Sequence, residues 1–430
     1  MKKLIKTWSN NMRLQANSHK ISSYEMPSSL NQNKEFIAFG NGRSYGDAPL
    51  NNEITKQNQL NKILAFDNKT GLITCQSGIL LSEIIDITIP QGWFLPVTPG
   101  TKEITLGGAI AADVHGKNHH VSGCISNFIL ELQVLLPDNT IITCSKEENA
   151  EFFKATCGGM GLTGIILEAT IQLLKIESAY INQETICYNN LENLVNGFTS
   201  NHGSTYSVAW VDLMSFKNGN MDSVLFLGEH ATDNDFNYQQ KSKITVPKWF
   251  PSFTLNKWSI SLYNQYIKLK NKNTQTKVSV NEFFYPLDNL NLWNRVYGKQ
   301  GMIQYQFVID ETKSIEGISK IIETILKSKH TPYLSVLKLF GKENENYLSF
   351  PKQGLTLAID FKIKSGLHEL LDTLDEIVNA YNGRVYLAKD QRMSKAFFNN
   401  SYPNIEKFKA IRKQYNLKNV ASLLSKRLDL

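Results

Sequence analysis

The sequence predicts an α+β fold in two regions, and three observations carry that reading. Residues 36–175 break into short β-rich and helical runs punctuated by glycine. From about residue 178 the glycine density falls and long alternating runs take over. Helical patterns lie between and after those runs, the arrangement expected of an antiparallel sheet covered on one face by helices. At 430 residues the chain exceeds one ordinary core, so two or three domains are expected.

In the first region, "GLITCQSG" (71–78), "FILELQVLLPDNTIITC" (128–144) and "TGIILEATIQLLKI" (163–176) read as strands, with Pro137 and Asp138 setting a turn. "LLSEIIDITIPQG" (80–92) has helical three-and-four spacing and a glycine stop. In the second region the strand runs are "YSVAWVDLM", "SVLFLGE", "MIQYQFVID" and "LTLAIDFKI". The helical ones are "IEGISKIIETILKSK" and "GLHELLDTLDEIVNAYNG", the latter closed by Gly383.

Composition narrows the class. Hydrophobic content of 42% and charged content of 20% fit a globular chain and exclude disorder or a fibre. The N-terminus lacks the apolar stretch of an export signal, and no run of about 18 apolar residues occurs, so a cytoplasmic location is expected. Five cysteines (Cys75, Cys124, Cys144, Cys157, Cys187) without CxxC spacing argue against a disulfide framework or zinc ribbon. The net charge of +7 is unevenly spread: residues 236–281 carry eight lysines, Lys241 and Lys243 among them, and no acid. Aromatics including Trp249, Phe250, Phe253, Trp258, Tyr263 and Tyr266 interleave with them. An anionic lipid surface or lipid phosphate selects such a mixture, and a solvated loop with tucked-in rings is the plainer account. Nucleic acid is disfavoured because the stretch has no arginine.

Three glycine-rich stretches fall in the first region: "GNGRSYGD" (40–47), "TPGTKEITLGGAIAADVHGKNHH" (98–120) and "CGGMGLTGI" (157–165). Glycine lets backbone N–H groups turn toward an anion, so together they suggest a phosphate gripped by several loops. Neither GxGxxG in register nor GxxxxGK[ST] is present. "HGKNHH" invites a metal reading, but only Asp113 and Cys124 stand nearby to complete a ligand set, so no metal is expected. No GxSxG elbow supports a serine nucleophile.

These stretches, followed by "YQFVI", "KLFG", "YLAKDQRM" and "SKRLDL", resemble in order the vanillyl-alcohol oxidase superfamily of FAD-binding oxidoreductases, also called the p-cresol methylhydroxylase type. Within it they resemble the branch acting on decaprenylphosphoryl-ribose. The resemblance runs from about residue 36 to the C-terminus. It implies a two-domain fold: an FAD-binding domain over 1–178, an antiparallel-sheet substrate or cap domain over 179–383, and a segment 384–430 returning to the first domain. It also implies that the glycine loops hold the FAD pyrophosphate. Cofactor contacts carried over are Phe39, Gly40, Asn41, Gly42, Arg43, Ser44, Tyr45, Gly46, Asp47, Gly100, Thr105, Leu106, Gly107, Gly108, Ala112, Asp113, Val114, His115, Ile166 and Tyr386. Where many members tether the flavin through a histidine, this chain has Tyr45, which implies non-covalent FAD.

Oxidising a secondary alcohol with a flavin requires a hydride acceptor, a proton acceptor and positive charge beside the accepting ring. The resemblance singles out Lys389 for the charge and His115 and Tyr45 for proton handling or substrate binding. Lys338, Gln304, Gln306 and Tyr285 are expected to hold the substrate, with Asn294 a further candidate. Ala358 stands where the family has a cysteine facing the flavin. The activity implied is oxidation of the 2'-hydroxyl of a polyprenyl-phosphate-linked pentose to the keto sugar, the first half of an epimerisation completed by a short-chain reductase partner. Residues 236–281 would then make peripheral membrane contact. The alternatives are an FAD-dependent oxidase of a soluble alditol or aldonolactone, and an inactive binding module on the same fold.

Overall fold

The computed structural model describes residues 2–31, 33–239 and 244–430. Lys241 and Lys243 lie outside the described residues. The first region forms two larger sheets and a two-stranded pair of Trp93–Phe94 with Leu174–Lys175. One has four strands in the order Lys2–Lys6, Arg13–Lys20, Glu53–Lys56, Ile37–Phe39, its first pair antiparallel and the others parallel. The other has five antiparallel strands in the order Ile63–Asp67, Leu72–Gln76, Ile165–Gln172, Ile129–Leu135, Ile141–Cys144. The helix Leu81–Thr88 runs into a 3-10 turn that Gly92 ends in the left-handed region, φ 80°.

The second region builds an eight-stranded antiparallel sheet. Its order is Gln275–Ser279, Tyr180–Asn190, Asn220–His230, Tyr206–Val211, Pro332–Phe340, Gly354–Lys362, Met302–Asp310, Arg384–Val385. The helices Leu191–Ser200, Ser314–Lys327 and Leu367–Ala380 form a contiguous layer on it. Strand alternation decides which side chains meet that layer. On Met302–Asp310, Tyr305 points to the helices and donates to Asp375 at 2.8 Å, so Gln304 and Gln306 point away from them. The helix Leu367–Ala380 stops differently from expectation. Asn382 takes the left-handed conformation, φ 54°, and Gly383 is required instead because a Cβ there would lie 2.5 Å from the Val308 carbonyl oxygen.

Residues beyond Val385 return to the first sheet. Phe36 pairs with Val420, Leu423 N donates to Leu50 O at 2.7 Å, and Arg427 donates from two nitrogens to Asp47, each at 2.9 Å. No helix among the described residues is long and apolar enough to cross a membrane.

Candidate functional site

Three glycine loops and the face of the eight-stranded sheet opposite the three-helix layer enclose a cavity of about 360 Å³. The first loop follows the strand Ile37–Phe39 and turns on Gly42, whose φ of 63° suits glycine. Tyr45 N and Ser44 Oγ both donate to Ala388 O, at 3.1 and 3.0 Å, and Trp8 N donates to Ser44 O at 3.0 Å. Arg43 stacks 4.0 Å over Trp8 and donates from Nε to Glu103 O. The N–H groups of Asn41, Gly42, Arg43 and Ser44 have no partner among the described residues. Consecutive unpartnered N–H groups around a positive-φ glycine form an anion nest, so this loop fits a pyrophosphate.

The second loop meets the first at Thr105, which caps the helix Leu106–Ala111 by accepting from Gly108 N at 3.2 Å. A Cβ on Gly40 would lie 2.3 Å from Thr105 Oγ1, so the first loop packs on that side chain only because residue 40 is glycine. Gly161, Gly164 and Ile166 of the third loop close that end.

The sheet face supplies the other end. Cross-strand register puts Gln306, Ala358 and Val336 in one row, and Gln304 opposite Asp360. Ala358 lines the cavity, and none of the five cysteines does. Lys389, in the turn after Arg384–Val385, holds its Nζ 3.7 Å from the Tyr45 ring centroid. Its pKa falls to about 7, mainly through burial and further through Lys338, although Asp360 opposes the drop. Burial brings Lys338 down to about 8. His115 is pushed well below the usual histidine range by burial, Lys338, His119 and Lys389, so its imidazole is neutral. Gln306 Nε2 and Lys338 Nζ approach its Nε2 and Nδ1, each at 3.2 Å. A neutral imidazole accepts at one nitrogen only. His115 therefore takes a hydrogen bond from only one of these two neighbours and turns its remaining N–H toward the other. Burial raises Tyr45 well above its ordinary value, so it stays a neutral phenol.

Of the expected site residues, the cavity brings together Gly40, Asn41, Gly42, Arg43, Ser44, Tyr45, Gly100, Thr105, Gly107, Gly108, Ala112, Val114, His115, Ile166, Gln304, Gln306, Lys338, Tyr386 and Lys389. Seven others lie off its wall, each for a packing reason. Phe39 underlies Gly42, and Gly46 is pressed against the Asp390 carbonyl. Asp47 is committed to Arg427, and Leu106 is core. Asp113 accepts from Asn344, Asn346 and Ser349 at 2.7–2.8 Å and pins the loop before Gly354–Lys362. Tyr285 is fully buried and bonds Thr98 through its hydroxyl at 2.7 Å. Asn294 likewise spends its amide on Trp8 O, at 2.6 Å.

Sequence reasoning missed Trp8, Trp293 and Asp360. The carboxylate of Asp360 is fully buried, accepts from Gln304 Nε2 at 2.7 Å and Tyr297 OH at 3.0 Å, and is raised by burial to about 6. An acid within the apolar run "LTLAIDF", two residues from Ala358 and so on the same strand face, was the available signal. Nothing in the sequence marked Trp8. Of the "HGKNHH" histidines, His119 Nδ1 accepts from Gly341 N at 3.1 Å and His120 Nε2 lies 2.9 Å from Ser204 O. Among the described residues no group of three or more His, Cys, Asp or Glu is placed to hold a metal.

The buried lysines set a pH dependence. Lys117, Lys338 and Lys389 have folded-state pKa values of about 7, 8 and 7, below the ~10.4 of an unfolded lysine. Between those values the unfolded chain binds more protons than the folded one, so stability rises with pH. The ligand-free protein should therefore melt at a higher temperature at pH ~9 than at pH ~7, and Lys338→Met should flatten that rise. Calorimetry across this window is the check; a falling midpoint in the wild type contradicts it.

The FAD-binding domain family model matches residues 28–145. The chain is 35% identical to decaprenylphosphoryl-beta-D-ribose oxidase of Mycolicibacterium smegmatis, covering 92% of this chain and 89% of that protein. It is 26% identical to the uncharacterized protein in the mprA 5' region of Streptomyces coelicolor, over 82% of this chain and all of that one. A shorter match, 29% identical over 40% of this chain and 37% of the relative, is to D-lactate dehydrogenase of Anaerostipes hadrus. Mixed sheets and helices, a loop cradle fit for a pyrophosphate and likeness along nearly the whole chain agree: the protein is an FAD-dependent oxidoreductase and belongs to the decaprenylphosphoryl-β-D-ribose oxidase family.

Proposed function

We propose that this protein oxidises the 2'-hydroxyl of a polyprenyl-phosphate-linked pentose to the keto sugar. The carrying observation is that one cavity joins an open N–H nest at residues 41–44 to a sheet face bearing Lys338, Gln304, Gln306 and Lys389. In this reading the division is of the vanillyl-alcohol oxidase type: an FAD-binding domain over 1–178, a cap over 179–383, and a return segment over 384–430. The nest, with Arg43, Thr105, Gly107 and Gly108, holds the FAD non-covalently, because Tyr45 offers no imidazole for a tether. Bound FAD supplies the two-electron acceptor for hydride leaving the carbinol carbon.

The chain's own groups do the rest. Gln304 and Gln306 orient the sugar, and Asp360 fixes Gln304 by accepting a hydrogen bond from its amide N–H. Lys338 Nζ and His115 Nδ1, 3.2 Å apart, stand where the hydroxyl proton has to be received. Lys389, stacked on Tyr45, presents positive charge where negative charge accumulates. A short-chain reductase would consume the keto product, and residues 236–281 would keep the protein in the cytoplasm against the membrane that holds the lipid.

An absorbance spectrum before and after acid precipitation tests the cofactor assignment: all flavin should move to the supernatant, and flavin in the pellet refutes the role given to Tyr45. Anaerobic addition of a short-chain polyprenylphosphoryl-ribose should then bleach the flavin. Bleaching by xylitol or a gulonolactone, with none by the phosphoribose lipid, would overturn the substrate.

A further inference from the structure

The helix Lys257–Lys270 is built with its apolar side outward. Trp258, Leu262, Tyr266 and Leu269 recur at four, four and three residues, which aligns them along one stripe. Trp258 is 82% exposed, Leu262 67% and Leu269 75%. The inward side is the polar one. Buried Asn264 donates to Asp212 at 2.6 Å and Lys268 pairs with Asp222 at 2.7 Å, while Ile260 supplies the apolar contact. A helix packed on a water-soluble core normally shows the reverse pattern. In the segment leading into the helix, Trp249 and Phe253 are 80% and 77% exposed. The exposed lysines Lys248, Lys257, Lys270 and Lys272 make no ion pair among the described residues, and residues 236–281 contain no acid to oppose them. Not every ring of the segment joins this face: Tyr238 turns inward and accepts from Lys102.

We propose that this helix, with Trp249 and Phe253, is an interfacial anchor that inserts its apolar stripe into a bilayer rich in anionic lipid. Exposed aromatic and aliphatic side chains flanked by lysine are the composition of helices lying in the headgroup plane, and the unopposed positive charge selects anionic headgroups. The anchor's position gives it a purpose that rests on the lipid-substrate reading above. Ile260 packs in one cluster with Tyr45, Tyr297, Met302 and Tyr333, and Tyr45 also lines the cavity. That cluster joins the buried side of the helix to the cavity wall. Docking through this helix brings the cavity to the depth at which a lipid headgroup lies.

The test is sedimentation of the flavin-loaded full chain with vesicles of phosphatidylcholine alone or mixed with phosphatidylglycerol. Wild type should bind the mixed vesicles. Trp258→Ser/Leu262→Ser/Leu269→Ser should weaken that binding about tenfold or more, and Lys257→Gln/Lys270→Gln should abolish the preference for phosphatidylglycerol. Both variants should keep their flavin absorbance and their turnover of a water-soluble short-chain substrate. Failure of wild type to bind, or undiminished binding by the triple variant, overturns the proposal. So does a concentration-dependent dimer that the triple variant abolishes while neither protein binds vesicles, which would make the face an interface between copies. Vesicle binding is read without substrate, so a chain that binds membranes and oxidises no phosphoribose lipid supports the anchor while refuting the substrate.

Discussion

Replacing Lys389 by methionine should lower kcat about 10²–10³-fold with the flavin still bound, the loss expected when one preorganised charge is removed from a water-excluded site. Methionine keeps most of the side-chain volume and its contact with the Tyr45 ring while removing the ammonium. Because the positive charge acts on the developing negative charge and not on the resting substrate, KM should change little. Asp360 carries a related expectation. It is the one group that raises the Lys389 pKa against burial and Lys338, so Asp360→Asn should narrow the pH range over which the wild-type rate is held, from the alkaline side. Steady-state kinetics on both variants with retained flavin absorbance decide the matter. A Lys389→Met enzyme within about threefold of wild type would fall far short of the loss such a charge predicts and refute its assigned role.

Replacing Arg427 by methionine should cost about 3–5 kcal/mol of stability, the penalty for stranding a buried carboxylate by removing its partner. Here one guanidinium serves two acids. It donates to both oxygens of Asp47, at 2.9 Å each, and approaches Asp390 Oδ2 at 2.8 Å, and both carboxylates are buried. The damage would reach the cavity, since Asp47 ends the first glycine loop and Asp390 follows Lys389. Gly46 between them has no room to adjust: a Cβ there would lie 1.6 Å from the Asp390 carbonyl oxygen. The measurements are a denaturant midpoint and the flavin-to-protein ratio after gel filtration. Arg427→Lys should recover part of the stability but not all, since an ammonium cannot form the two-pronged contact with Asp47. A methionine variant as stable and as yellow as wild type would remove the clamp from the account.

The sequence made the loops legible and their partners less so. Gly40, Gly42, Gly107 and Gly108 stand out because a nest needs residues without a Cβ, and the alternation in "MIQYQFVID" was enough to place Gln304 and Gln306 on one face. Asp47 and Asp113 sit in the same stretches as true cavity residues, so a contiguous reading swept them in. What turns their side chains away from the cavity wall is their pairing with Arg427 and with Asn344, Asn346 and Ser349, which spans hundreds of residues. Tyr285 illustrates the same limit: its ring is core and its hydroxyl is committed to Thr98, which no local pattern records. Trp8 was invisible for the converse reason, being brought to Arg43 by the pairing of Lys2–Lys6 with Arg13–Lys20. The lysine-rich stretch announced its charge in the sequence, but only the packing of Ile260 and Asn264 shows which way its rings face.

The clamp at Arg427 also fixes when the site comes into being. The two ends of the Arg427–Asp47 contact are 380 residues apart in the chain, and at about 5–20 residues per second of synthesis the loop waits roughly 20–80 s for its partner. Lys389 and the Ala388 carbonyl that anchors Tyr45 arrive almost as late. A nascent chain stalled short of these residues holds glycine loops that no strand has stitched down and donors that only water can satisfy. The first glycine loop is therefore clamped only after residues 388–427 have been made.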